Sequence, residues 1–162
     1  MSNIKVIEQK GSFQGSANIA IVASRFNSFI VDRLYDGAIN SLKANGISEN
    51  NITVVKVPGA FEIPVAVKNL LDNNKYDAVI TLGAVIRGET PHFDFICNEC
   101  AHGILKLAIK SGVPVIFGVL TVDNTEQAMD RAGDEESNKG YEAASAALEM
   151  ISVIKQVKQI QP

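Results

Sequence analysis

Cysteine and histidine are scarce in this chain: Cys97, Cys100, His92 and His102 are the whole supply in 162 residues. Two thiols cannot form the dense disulfide framework of a small secreted domain. No stretch approaches the roughly 20 unbroken apolar residues of a membrane span. The first segment carries Lys5, Glu8 and Lys10 where a signal peptide would need an apolar run, so a cytoplasmic protein without a membrane partner is expected. Lysines and arginines do not cluster, and the net charge is −3 with a pI near 5.4. That leaves no basic footprint for nucleic acid, and the expected ligand is a small molecule. Low-complexity linkers and internal repeats are absent as well, so residues 1–162 read as one domain. Hydrophobic residues at 46% against 20% charged are enough for a folded core.

Four apolar runs without strict alternation, 18–23, 52–57, 78–86 and 113–122, read as strands buried on both faces, which are usually parallel. Helical spacing lies between them. Ile30, Leu34, Ala38 and Leu42 form one stripe, and Ile63, Val67, Leu70 and Leu71 another. A third helix is expected from about Asp94 to Ser111, with Ile96, Ile104, Leu107 and Ala108 toward the core and Gly112 and Pro114 ending it. Asn124 with Gln127 three residues on resembles a capping box that starts a short helix, stopped by Gly133. A long C-terminal helix follows, with Ala143, Ala147, Met150, Ile151 and Ile154 at three- and four-residue steps. Alternating strands and helices imply βαβ units, hence a three-layer α/β/α sandwich around a central four-stranded parallel sheet. Residues 1–15 form a loosely attached arm. Its run from Ile4 to Gln9 either frays or pairs with a neighbouring subunit's sheet.

In such a fold, ligands bind at the loops that follow the strands. Residues 83–95, GAVIRGETPHFDF, turn from an apolar strand end to Arg87, Gly88, Glu89, Thr90 and His92, a change that packing alone does not explain. Gly88, Glu89 and Thr90 just before a helix offer free N–H groups and a hydroxyl, the means to hold a phosphate. His92 can pass protons near neutral pH. His102, in mid-helix, reads as structural. After the first strand, Phe26 is either a stacking ring or a staple onto the helix that Asn27 or Ser28 would cap. After the second, Ala60, Phe61 and Glu62 open a helix. Glu62 suits the helix dipole there and could equally accept from ligand hydroxyls. Arg131, at the end of the short helix, is at ease against its carbonyls, yet its guanidinium fork also suits a phosphate clamp. Lys139 could add a second charge, and Phe117 reads as core unless its ring faces the ligand edge.

Together ASRFN at 23–27, VPGAFEIP at 57–64, TLGAVIRGETPHFDFI at 81–96, GVPVIFGVLT at 112–121, and the RAG and NKG triplets within 131–140 closely resemble the lumazine synthase family. The resemblance covers nearly the whole chain in order and spacing. It implies a flavodoxin-like fold and the condensation of 5-amino-6-(D-ribitylamino)uracil with 3,4-dihydroxy-2-butanone 4-phosphate, the penultimate step of riboflavin synthesis, without a cofactor. It implies further that Phe26 stacks on the pyrimidine while Ala60, Phe61 and Glu62 hold the ribityl chain. Ala84, Val85 and Ile86 would meet the pyrimidine edge, and Asn27, Lys139 and Phe117, the last reaching over from a neighbouring subunit, would also bind the pyrimidine and ribityl groups. Gly88, Glu89, Thr90 and Arg131 would receive the phosphate, and His92 would shuttle protons. Family members form pentamers, or shells built from pentamers, with sites between subunits. The partners implied are two small substrates, further copies of the chain, and riboflavin synthase. One departure stands out: the turn 134–137 is acidic where the family often has glycine and lysine.

Two other readings compete. A relative that only carries a flavin would share the fold, but the intact His92 and Arg131 argue against it. A thiol-redox or zinc protein would use Cys97 and Cys100. That CxxC lies inside the third helix with no second pair, and His92 and His102 are ten residues apart, so no metal site is expected.

Overall fold

A computed structural model describes residues 4–73 and 75–160. Four strands, β1 (Ile19–Ser24), β2 (Ile52–Val57), β3 (Ala78–Ile86) and β4 (Val115–Val122), form one parallel sheet in the order β2-β1-β3-β4. The register sets Ile19 of β1 beside Ile52 of β2 and Ala78 of β3, and Val79 of β3 beside Val115 of β4. Five α-helices connect and cover the sheet: α1 (Ser28–Ala44), α2 (Ile63–Asp72), α3 (His92–Ser111), α4 (Thr125–Asp130) and α5 (Lys139–Lys158).

The two-residue period of a strand divides the core between the faces. Ile19, Ile21 and Ala23 point to one side, where they meet Ile30, Leu34 and Leu42 of α1 and Ala144 and Leu148 of α5. Ala20 and Val22 point to the other, against Ile63 and Val67 of α2 and Ile104 of α3. All six residues of β1 are buried, as its unbroken apolar run requires. Burying a side chain of this size stabilises by about 1.5–3 kcal/mol, so the central strands anchor the domain. Thr81, the polar exception inside β3, is fully buried and donates its hydroxyl to the Ile116 carbonyl at 2.8 Å.

The expectation that all four strands are buried on both faces fails for β2. It is an edge strand, and Thr53, Val54 and Lys56 are exposed. β-branched residues favour any pleated surface, and nothing in their sequence distinguishes an edge from a centre. One helix boundary also moves, and one expected cap bond does not form. α3 starts at His92 rather than Asp94, because Pro91 supplies the N-cap position, where its missing N–H costs nothing. Asn27 occupies the N-cap of α1, but neither it nor Ser28 caps that helix through a side chain. At the C-terminus of α3, Gly112 takes φ 70°, the left-handed turn that ends a helix at little cost for glycine. α4 opens as its sequence indicates, with the Asn124 side chain accepting from the Gln127 N–H at 2.9 Å. The return bond goes to the preceding residue, the Asp123 N–H, at 2.8 Å.

The arm at 4–10 forms no strand here. It lies along α5, where Gln156 donates to the Glu8 carbonyl and Ser152 to the Gln9 side chain, each at 3.0 Å. Ile4 and Val6 stay exposed, while Phe13 and Ala17 are buried. Among the described residues, no helix is long and apolar enough to cross a membrane.

Candidate active site

The β1 and β3 connections depart in opposite directions from the middle of the sheet, and a crevice opens outside the carboxyl ends of the strands. It holds a cavity of about 840 Å³. Ser24 and Phe26 reach it from the end of β1, residues 58–62 from the end of β2, and Ala84, Val85 and Ile86 from the end of β3. Gly88, Thr90 and His92 close the far side with Phe93, Phe95 and Ile96 of α3.

Local sequence fixes each wall. Residues after Ser24 leave the sheet with the Arg25 and Phe26 N–H groups bonded to the carbonyls of Val57 and Pro58, at 2.8 and 3.0 Å, so the first two loops are stitched together. Asn27 adopts φ 58°, the only positive φ among the described residues other than glycine. Its side chain donates to the Ala84 carbonyl at 2.8 Å. Asn27 is therefore a brace between β1 and β3 and does not line the cavity. In the second loop, residues Ala60–Glu62 form a single 3-10 turn. Glu62 reaches back to accept from the Gly59 N–H at 3.0 Å, which leaves its other carboxylate oxygen free of that bond. Phe26 is 71% exposed and Phe61 55%, so two aromatic rings stand open where a planar ligand could stack.

The third loop presents free backbone donors. The N–H groups of Gly88, Glu89 and Thr90 make no hydrogen bond to the described residues, and they precede the 20-residue helix α3. Free N–H groups and the positive end of a helix dipole suit a phosphate. Glu89 is exposed and does not line the cavity, which parts it from Gly88 and Thr90. The His92 side chain makes no hydrogen bond to the described residues either. Arg87, next to this loop, donates from Nε to Asp123 at 3.0 Å and from a terminal nitrogen to Asp94 at 3.3 Å. Its guanidinium carbon lies 4.2 Å from the Phe93 ring centre. The hydrogen bond to Asp123, and after it that to Asp94, hold its ionisation above even the usual arginine range.

Phe117, Arg131 and Lys139 fall elsewhere. They line a separate hollow of about 300 Å³ between β4 and α5. Phe117 is 43% exposed, so the core reading of this ring is wrong. Phe117 shares its face of β4 with Val115 and Val119, the side on which α2 and α3 pack, and at the sheet edge that side is covered only in part. Arg131 donates to the Gln127 carbonyl at 3.0 Å, and Lys139 pairs with Glu142. The two cations share one bracket: the Lys139 N–H bonds the Arg131 carbonyl at 2.8 Å. Buried Asn138 accepts from the N–H groups of Gly140 and Tyr141 and donates to the carbonyls of Arg33 and Gly133.

Sequence reasoning missed Phe93, Phe95 and Ile96 as cavity residues, and Arg87 as a tie between elements. Phe95, 67% exposed in the first turn of α3, carried a signal in the unusual pairing of two phenylalanines around an aspartate. Cys100 is fully buried, and burial, followed by the neighbouring Cys97, pushes its thiol up to about 12. Cys97 is also raised, chiefly by burial. Among the described residues, no three His, Cys, Asp or Glu side chains gather as metal ligands.

Four parallel strands between two layers of helices, with an aromatic-lined cavity and free N–H groups at the central crevice, define a flavodoxin-like α/β protein with a candidate small-molecule site. The family model described as 6,7-dimethyl-8-ribityllumazine synthase matches residues 16–155. The protein of that name from Nitratidesulfovibrio vulgaris strain DP4 is 52% identical over 157 residues, covering 97% of this chain and 100% of the relative. Its counterpart from the Hildenborough strain matches to the same extent. The chain belongs to the 6,7-dimethyl-8-ribityllumazine synthase family.

Proposed function

We propose that the chain is a transferase of riboflavin biosynthesis that condenses 5-amino-6-(D-ribitylamino)uracil with 3,4-dihydroxy-2-butanone 4-phosphate to 6,7-dimethyl-8-ribityllumazine, phosphate and water. Family membership supports the reaction. One observation supports the site: the open Phe26 and Phe61 rings, Glu62, the free N–H groups of Gly88 and Thr90, and His92 belong to one cavity.

In this reading the pyrimidine stacks on Phe26 against Ala84, Val85 and Ile86, and the ribityl chain runs past Ala60 and Phe61 to Glu62. The phosphate sits on Gly88, Thr90 and the start of α3. The pyrimidine amine attacks the ketone and a first water leaves to give an imine; phosphate is then eliminated, the resulting enol becomes a ketone, and the ribityl-bearing nitrogen closes the ring on it with loss of a second water. Each step moves a proton, and His92 at the junction of the two substrates serves them in turn. Holding two reactants in register supplies the larger share of the acceleration, about 7–11 kcal/mol for well-aligned groups. No cofactor enters any step.

The Phe117, Arg131 and Lys139 hollow complements this cavity rather than extending it. Two half-sites on one chain fit an assembly of pentamers, or multiples of them, in which the hollow of one protomer completes the cavity of the next. The exposed β2 edge suits the same arrangement, the arm exchanging its contacts with α5 for a place in a neighbour's sheet. A cytoplasmic setting, and riboflavin synthase as the partner that consumes the product, complete the proposal.

An absorbance assay of lumazine formation tests it, run beside an enzyme-free control because the condensation also proceeds uncatalysed. Rates well above that control are expected. His92→Ala is expected to keep the fold and slow turnover by about 10²-fold, within the usual span for proton transfer. Arg131→Ala is expected chiefly to raise KM for the butanone phosphate. A His92→Ala enzyme at full rate would refute the site, and wild-type rates equal to the control alongside flavin binding would favour a carrier.

A further inference from the structure

We propose that Arg87 is a positioning residue for the condensation, closing the Gly88–Thr90 loop into a ring that fixes His92 and the phosphate-binding N–H groups. The inference rests on the site reading given above and extends it to a residue that does not line the cavity.

Arg87 directly follows β3, and its backbone N–H donates to the Val122 carbonyl at 2.9 Å, anchoring the near end of the loop. Its guanidinium holds the far end, bonded to Asp94 in the first turn of α3 and stacked over Phe93. A third contact, to Asp123, ties both ends to the segment after β4. One residue thus grips the loop at entry and exit, with Gly88, Glu89, Thr90, Pro91 and His92 spanning the gap. Because no hydrogen bond to the described residues orients the His92 ring, the ring goes where the backbone of the first turn carries it. An isolated surface ion pair contributes little. A guanidinium shared between two carboxylates and a ring differs, because its planar fork sets direction as well as distance. Arg87 also offsets the charge of Asp94 and Asp123, two carboxylates placed beside a loop that must receive a dianion.

These two roles separate in the kinetics. Arg87→Gln removes both the fork and the charge, whereas Arg87→Lys keeps the charge and loses the fork. For Arg87→Gln, kcat is expected to fall about tenfold, since misplacement by 1 Å can cost about 10²-fold. KM for the butanone phosphate should rise several-fold and KM for the pyrimidine amine should stay unchanged. Arg87→Lys should recover the phosphate KM while kcat remains low. Thermal unfolding and assembly of both variants should match the wild type. Wild-type kcat in Arg87→Gln would overturn the proposal. So would full recovery of kcat in Arg87→Lys, which would reduce the residue to a charge, or a parallel loss of kcat, both KM values and thermal stability, which would reduce it to a fold contact. His92→Ala measured alongside separates the two readings: a slow His92→Ala with a normal Arg87→Gln removes only the positioning role, whereas a normal His92→Ala removes the site beneath it.

Discussion

Gly140→Ala is the sharpest test of how the hollow beside β4 is built. A Cβ added at Gly140 would lie 1.8 Å from the Leu34 carbonyl oxygen and 2.6 Å from its carbon, both in the backbone of α1. No rotamer can relieve that clash, and to reach even 3.0 Å the first turn of α5 must retreat by 1.2 Å. Alanine contributes about 1 kcal/mol of helix propensity in its favour. Against this, the Asn138 bond to the Arg33 carbonyl, now 3.0 Å, is stretched past its useful range. Leaving that buried amide unpaired costs about 1–3 kcal/mol. A gap approaching 1 Å between Leu34 and the facing Ala144 and Leu148 forfeits up to about half of each contact's attraction. The net loss is about 3 kcal/mol, or about 6–12 °C in the unfolding midpoint at this chain length. Calorimetry should show it, with Gly88→Ala as the control, since no atom lies within 4 Å of a Cβ there. A Gly140→Ala protein that melts at or above the wild type would refute the claim that the two helices meet backbone to backbone.

Two further outcomes follow from local geometry. Asn27→Gly should cost less than Asn27→Ala. Both lose the bond to Ala84, but only alanine must also hold φ 58°, so a midpoint gap of about 2–4 °C is expected between them, readable by thermal scanning fluorimetry. Alkylation at pH 8 should modify Cys97 slowly and spare Cys100 until the protein is unfolded, without loss of activity before that point. The Cys100 thiol, shifted from 9.0 to about 12, stays neutral when folded while the unfolded thiol ionises. Its contribution to stability is therefore complete below about pH 9 and is lost as the pH rises from there toward 12. Mass spectrometry of the labelled chain decides, and rapid labelling of Cys100 in the folded protein would show that α3 opens locally.

The layers of the fold were legible because β1 and β3 are apolar on both faces and the intervening helices keep a 3.6-residue stripe. The edge position of β2 was not, since pairing partners are a property of the whole sheet. At the site, the βαβ rhythm brought Phe26, residues 60–62 and His92 to one edge and the family resemblance added Ala84–Ile86, and these line one cavity, whereas Arg131 from the segment after β4 lies in the separate hollow. Asn27 misled because asparagine serves both as a helix cap and in the left-handed region, and its acceptor lies 57 residues away. Arg87 hid for the same reason: Asp123 is 36 residues off, and no local pattern announces a tie across the end of a sheet.

The bracket around Asn138 has a consequence for variation in this chain. Arg131 and Lys139 are joined directly through the backbone, with Ala132 and Asn138 buried between them, so the exposed residues 134–137 form a spur outside the joint. The composition of that acidic spur can change while the spacing of the two cations stays fixed. Charge and length at the surface of the chain are thereby uncoupled from the placement of Arg131 and Lys139, and one can evolve without retuning the other.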